Sequence, residues 1–150
     1  MRQISAFLSL SLLLACQNGN TSPGTPTDQP QAVRVEFQKE FSIHVGETAE
    51  LAAPRARVTF VAVAADSRCA VDVQCVWEGD AALVFTLDVA GGSVVRDTLH
   101  TSGRGEAQST RMTVGKVRLT LRNVAPQPRS DSPTRAEDYV ATLIAEIVGE

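Results

Sequence analysis

From Val33 on, apolar residues at every second position dominate the pattern, and helical periodicity is absent. A period of two puts successive side chains on opposite faces of an extended chain, so each segment needs one buried and one wet face. Phe41, Ile43 and Val45 alternate with Ser42 and His44, and Gly46-Glu47 reads as a turn before Ala49 and Leu51. Pro54 interrupts, and residues 58–63 form a denser apolar run suited to a central strand. Leu83, Phe85, Leu87 and Val89 alternate with Val84, Thr86 and Asp88. Gly91-Gly92 then signals a tight hairpin, from which residues 94–99 return. Val117, Leu119 and Leu121 alternate with Arg118, Thr120 and Arg122, and Tyr139, Ala141, Leu143, Ala145 and Ile147 make the last apolar face.

Seven or eight short strands with no convincing helix predict an all-β domain. Two packed sheets bury such faces most economically, so the expected fold is an immunoglobulin-like β-sandwich, with a small β-barrel as the alternative. Residues 102–108, with Gly103 and Gly105, read as a loop. So do residues 126–133, whose terminal prolines block strand continuation. No internal repeat is visible. A length of 150 residues suits one such domain.

The N-terminal segment has a different character. Arg2 supplies a positive start, and residues 4–15 are an apolar run too short to span a bilayer, which takes about 20 residues. The run ends in Leu13-Leu14-Ala15-Cys16. This resembles the lipobox of bacterial lipoproteins, which implies a signal peptide over 1–15, cleavage before Cys16, and a lipid on the Cys16 thiol. Gln17 rather than Asp follows the cysteine, which by analogy with enteric bacteria implies the outer membrane, facing the periplasm or the cell surface. Residues 18–31 hold only Asn, Gly, Thr, Ser, Pro, Asp and Gln, with Pro23, Pro26 and Pro30. That composition cannot bury a core, so 16–31 is expected to be a disordered tether and 32–150 the folded domain. The membrane partner is therefore reached through lipidated Cys16. A formal charge of −3 argues against a nucleic-acid partner, which calls for a basic face.

The most distinctive stretch runs from Asp66 through Ser67, Arg68, Cys69, Asp72, Gln74, Cys75, Trp77, Glu78 and Gly79 to Asp80 and Ala81. The chain has three cysteines, and lipidation of Cys16 leaves an even pair in an oxidising compartment. A Cys69–Cys75 disulfide is the natural reading, worth about 2 kcal/mol in the chain-entropy model. The five-residue gap does not match the two-residue spacing of zinc or thioredoxin-type sites, so no metal is assigned. Trp77 is the only tryptophan. Two residues past Cys75 on a strand, it would face the same side and cover the open end of the core; the competing reading is an exposed aromatic anchor for a partner. Asp66, Asp72, Glu78 and Asp80 offer oxygen ligands for calcium, but without EF-hand spacing. Turn-capping, pairing of Asp66 with Arg68 and plain solvation are the simpler roles. Gly79 suits a bulge or turn. The candidate binding loop is therefore Asp66, Arg68, Asp72, Gln74, Trp77, Glu78 and Asp80.

The same stretch resembles a motif of small, uncharacterised bacterial lipoproteins: Asp-Ser-Arg-Cys, five residues, Cys, any residue, Trp, any residue, Gly, any residue, Ala. Here it is carried by Asp66-Ser67-Arg68-Cys69, Cys75, Trp77, Gly79 and Ala81. The likeness extends to Val45-Gly46-Glu47-Thr48 before it, and to a Pro-rich loop and Tyr139 after it. Ala70 departs from it where proline is expected. The resemblance implies location and fold and is silent on chemistry.

No cofactor motif is present, and catalysis finds little footing. His44 lies on the polar side of a strand. Ser102, His100 and Asp97 make a triad only on paper, with no nucleophile elbow and no oxyanion provision. Glu78 and Asp80 as paired carboxylates would need a cleft that a domain of about 120 residues hardly offers. Gly103-Arg104-Gly105 follows no phosphate-cradling pattern. The expected function is a non-catalytic binding or structural module of the cell envelope with an envelope protein partner. The alternatives are an inhibitor of an envelope enzyme, and then a small hydrolase or metal-binding protein.

Overall fold

The computed structural model describes residues 32–104 and 108–149. The expected signal peptide and tether, with Cys16, lie outside the described residues, as do residues 105–107 of the expected glycine-rich loop. Nine strands are formed among the described residues: β1 (Val33–Val35), β2 (Glu40–His44), β3 (Thr48–Ala52), β4 (Arg55–Asp66), β5 (Ala81–Val89), β6 (Val94–His100), β7 (Arg111–Val114), β8 (Val117–Ala125) and β9 (Val140–Ile147). A single 3₁₀ turn, Ala136–Asp138, precedes β9. Among the described residues no helix is long and apolar enough to cross a membrane.

The strands make two sheets, ordered β1-β3-β4-β5-β6 and β2-β9-β8-β7. The two-sheet sandwich is thus formed and the barrel is not. Its connectivity is a pair of meanders, with β1 parallel to β3 at one edge and β2 recruited from the N-terminal side to pair with β9. The alternation read from the sequence is the alternation that is buried. Ala81, Leu83, Phe85 and Leu87 of β5 face inward between half-buried neighbours. From the other sheet Leu119, Leu121, Ala141, Leu143 and Ala145 meet them in a common core. Phe60 and Phe85 stack with centroids 4.9 Å apart, a contact worth about 1 kcal/mol beyond area burial. Ile147, expected on that last apolar face, is instead half exposed at the last residue of β9, where it pairs with Val117.

The dense run over 58–63 is the middle of β4, the central strand of its sheet. Its density has a structural cause. The β4–β5 register shifts between Phe60 and Ala62 and again between Val63 and Ala65, so Phe60, Val63 and Asp66 come to oppose the inward residues Phe85, Leu83 and Ala81. Each shift spends one extra residue and bends the strand. The second leaves Asp66 turned inward at the very end of the core. The sequence pattern did not include β7, whose buried positions are only Met112 and Val114.

Candidate functional site

Residues 67–80 join β4 to β5 at one end of the sandwich. The two arms stay paired past the strand ends: the Ser67 amide donates to the Asp80 carbonyl at 2.7 Å, and the Cys69 amide to the Glu78 carbonyl at 2.9 Å. Gly79 lies between them with φ +73°, and a Cβ there would stand 1.9 Å from the Ser67 carbonyl oxygen. Only glycine lets the arms close at this point. Beyond the pairing, the Cys69–Cys75 disulfide is formed, with Cα atoms 5.9 Å apart.

The loop is also fixed to both neighbouring connections. Arg68 forks onto Asp66 through Nε at 2.9 Å and Nη2 at 2.7 Å, and spends its remaining donors on the carbonyls of Val124 at 2.6 Å and Pro126 at 2.8 Å. The Tyr139 hydroxyl donates to Asp66 at 3.0 Å. The Arg68 and Asp66 side chains keep only 8% and 9% of their surface. Burial pushes the Asp66 carboxyl up, but the bonds from Arg68 and Tyr139 outweigh it and hold the group below its ordinary range. A second anchor joins the loop to residues 126–133. Asp72 accepts from the Ser130 amide and hydroxyl, which hold its carboxyl low, and the Val71 amide donates to the Pro128 carbonyl. A third is Asp80. It lies 2.6 Å from His100 Nδ1 and accepts from the Thr101 hydroxyl and the Ser102 amide, at 3.0 and 2.9 Å. Burial raises its carboxyl, and these donors bring it below the ordinary value.

The framework presents both apolar and polar side chains outward. Trp77 is 76% exposed and Val76 90%, with Val71 and Val73 exposed beside them. This corrects the expectation that Trp77 closes the core. Residues 75–77 form no strand, so the two-residue spacing from Cys75 sets no common face, and the core end is filled by Arg68, Asp66 and Tyr139 instead. Gln74 is exposed. Glu78 is exposed too, in an ion pair with Arg104 at 2.7 Å.

The four acids expected as calcium ligands are separated, each with its own partner: Asp66 with Arg68, Asp72 with Ser130, Glu78 with Arg104, Asp80 with His100. Among the described residues no three or more His, Cys, Asp and Glu side chains gather as a metal cluster. The paper triad also comes apart. Asp97 bonds the Thr98 amide, the Ser102 hydroxyl bonds Gln108, and His100 turns to Asp80. The Glu78 and Asp80 carboxylates are likewise held by different groups. His44 is exposed, as expected.

The anchors Ser130, His100, Thr101, Ser102 and Tyr139 were not read as loop partners, because they lie 20 to 73 positions from the residues they hold. The apolar character of Val71, Val73 and Val76, between and beside the cysteines, was visible in the sequence and is the signal that was missed. At the opposite pole of the sheet an open depression of about 390 Å³ is lined by Arg34, Arg55, Arg57, Glu50 and the apolar Val35 and Leu51, with Arg57 and Glu50 3.5 Å apart. The chain has no match among models of known protein families, curated proteins or solved structures.

Proposed function

We propose that the chain is a lipid-anchored, non-catalytic lipoprotein of the cell envelope, and that its sandwich serves to hold out the 67–80 loop as a contact surface. The lipobox ending in Cys16 and the tether composition support the anchor, and Gln17 supports the outer membrane. One observation carries the contact role: Val71, Val73, Val76 and Trp77 are exposed on a backbone that a disulfide and three side-chain anchors immobilise. Four large apolar side chains left exposed on one short loop favour a contact role. Rigidity lowers the entropy lost on contact, which favours this loop over the glycine-rich one. Asp66, Asp72, Glu78 and Asp80 are each engaged by a separate partner, which supports reading these acids as structural.

Two experiments test it. Labelled palmitate should enter the wild-type chain and not Cys16→Ser. A photo-crosslinking residue in place of Val76 should give adducts in intact cells, whereas one in place of the exposed Lys39 should not. Equal labelling in both chains removes the anchor, and equal adduct yield at both positions removes the contact role.

A further inference from the structure

We propose that the 67–80 loop seats in the headgroup region of the same bilayer that holds the lipid on Cys16, so that the sandwich lies docked on the membrane rather than free at the end of its tether. This rests on the lipid-anchor reading above. The tether favours a bilayer over a separate protein. A domain already tethered to a membrane needs only a weak second contact, because the tether makes that contact intramolecular. The chemistry agrees. Trp77 offers a broad apolar ring with one N–H donor, the side chain that concentrates at membrane–water interfaces, and Val76 beside it is almost fully exposed. The amides of Cys69, Val71 and Val73 are already bonded within the protein, so they bring no unpaired donors to the lipid.

The direction of the chain agrees as well. β1 runs parallel to β3 and therefore antiparallel to β4, so the chain enters the sheet at Val33 from the side of the loop. Val33 is level with Ala49 and, through it, with Val58, eight positions short of Asp66 at the loop's base. At strand rise that is about 26 Å. The stretch from Cys16 to Val33 spans up to about 55 Å when extended, enough to let the lipid and the loop tip enter one surface. The charged groups at the tip select the surface. Glu78 is taken up by Arg104, and Asp72 stays acidic, so a zwitterionic headgroup layer suits the loop and an anionic one does not.

Trp77 is the only tryptophan, so the chain's tryptophan emission reports this site alone. The mature lipidated protein, purified from its membrane, would be reconstituted in palmitoyl-oleoyl-phosphatidylcholine vesicles, with and without lipid brominated near the headgroup end of its acyl chains. Docking predicts a blue shift relative to detergent-free Cys16→Ser protein, loss of most Trp77 emission to the brominated lipid, and protection from acrylamide. Val76→Asp, at a position too exposed to affect folding, should reverse all three while the protein still floats with the vesicles. If wild-type protein floats with the vesicles but Trp77 stays open to acrylamide and untouched by bromine, the docking is wrong and the loop is left to a protein partner. If the protein does not float with them, the anchor reading fails, and the docking with it.

Discussion

Arg68 is bound to Asp66 by paired bonds of 2.9 and 2.7 Å, and the same guanidinium ties the end of β4 to the carbonyls of Val124 and Pro126, which leave β8 in the opposite sheet. The ion pair is thus a clasp between the two layers of the sandwich at the pole that carries the loop. Arg68→Ala would leave a buried carboxylate with Tyr139 as its remaining side-chain donor, and two carbonyls unmet. Removing one partner of such a pair costs about 3–5 kcal/mol. Urea unfolding should show a loss of that order; a midpoint near wild type would show that the clasp is not needed.

Acid should loosen this pole first. The Asp66 and Asp80 carboxyls are both held below their ordinary value of 3.8 by the donors that face them. Such groups contribute stability that is fully present above the unfolded pKa and is lost as pH falls through the folded one. Melting temperature should therefore be flat near neutrality and fall below about pH 5. Asp80→Asn should be less stable at neutral pH and show a shallower acid decline. An identical acid slope in wild type and variant would rule out the Asp80 contribution.

Trp77→Ala should barely affect stability. An exposed side chain away from the core usually changes it by no more than about 0.5 kcal/mol. Thermal melts of the variant and wild type should overlay. A loss of about 3–5 kcal/mol, the cost of truncating a core aromatic, would mean the indole is packed after all.

Gly79→Ala should be far more damaging than its size suggests. The added Cβ meets the Ser67 carbonyl, and the positive φ strains any L side chain. The loop arms must part, at a cost of more than about 1 kcal/mol. Hydrogen exchange at the Ser67 and Cys69 amides should rise together; unchanged protection would contradict the pairing.

Loss of the disulfide should unlock the tip without unfolding the sandwich. Cys69→Ser with Cys75→Ser removes about 2 kcal/mol of chain-entropy stabilisation. The arms remain paired at Ser67–Asp80 and Cys69–Glu78, where backbone groups make the bonds. Far-ultraviolet circular dichroism should be preserved and the melting temperature lowered. A chain with no strand signal would show that the closed loop is needed for folding.

Period-two alternation determined by itself which residues of β2, β5, β8 and β9 face the core, because parity along an extended chain is a local property. Ile147 departs from the rule at the last position of its strand. Gly91-Gly92 marked its hairpin for an equally local reason, and the Cys69–Cys75 bond joins two cysteines only six positions apart. β7 is too short to show a period, and the parallel docking of β1 on β3 and the recruitment of β2 by β9 belong to the tertiary structure, since they pair strands that are not consecutive in the chain. The same holds for the loop. Whether Trp77 turned in or out depended on Arg68 reaching Val124, 56 positions away, and on Tyr139 reaching Asp66 across 73. Those side chains fill the end of the core, and the indole stands in water. His100 took Asp80 rather than Asp97 because the two ends of β5 and β6 meet there in register. Partners so far apart in the chain leave no periodic trace, and only the packing of one sheet on the other brings them together.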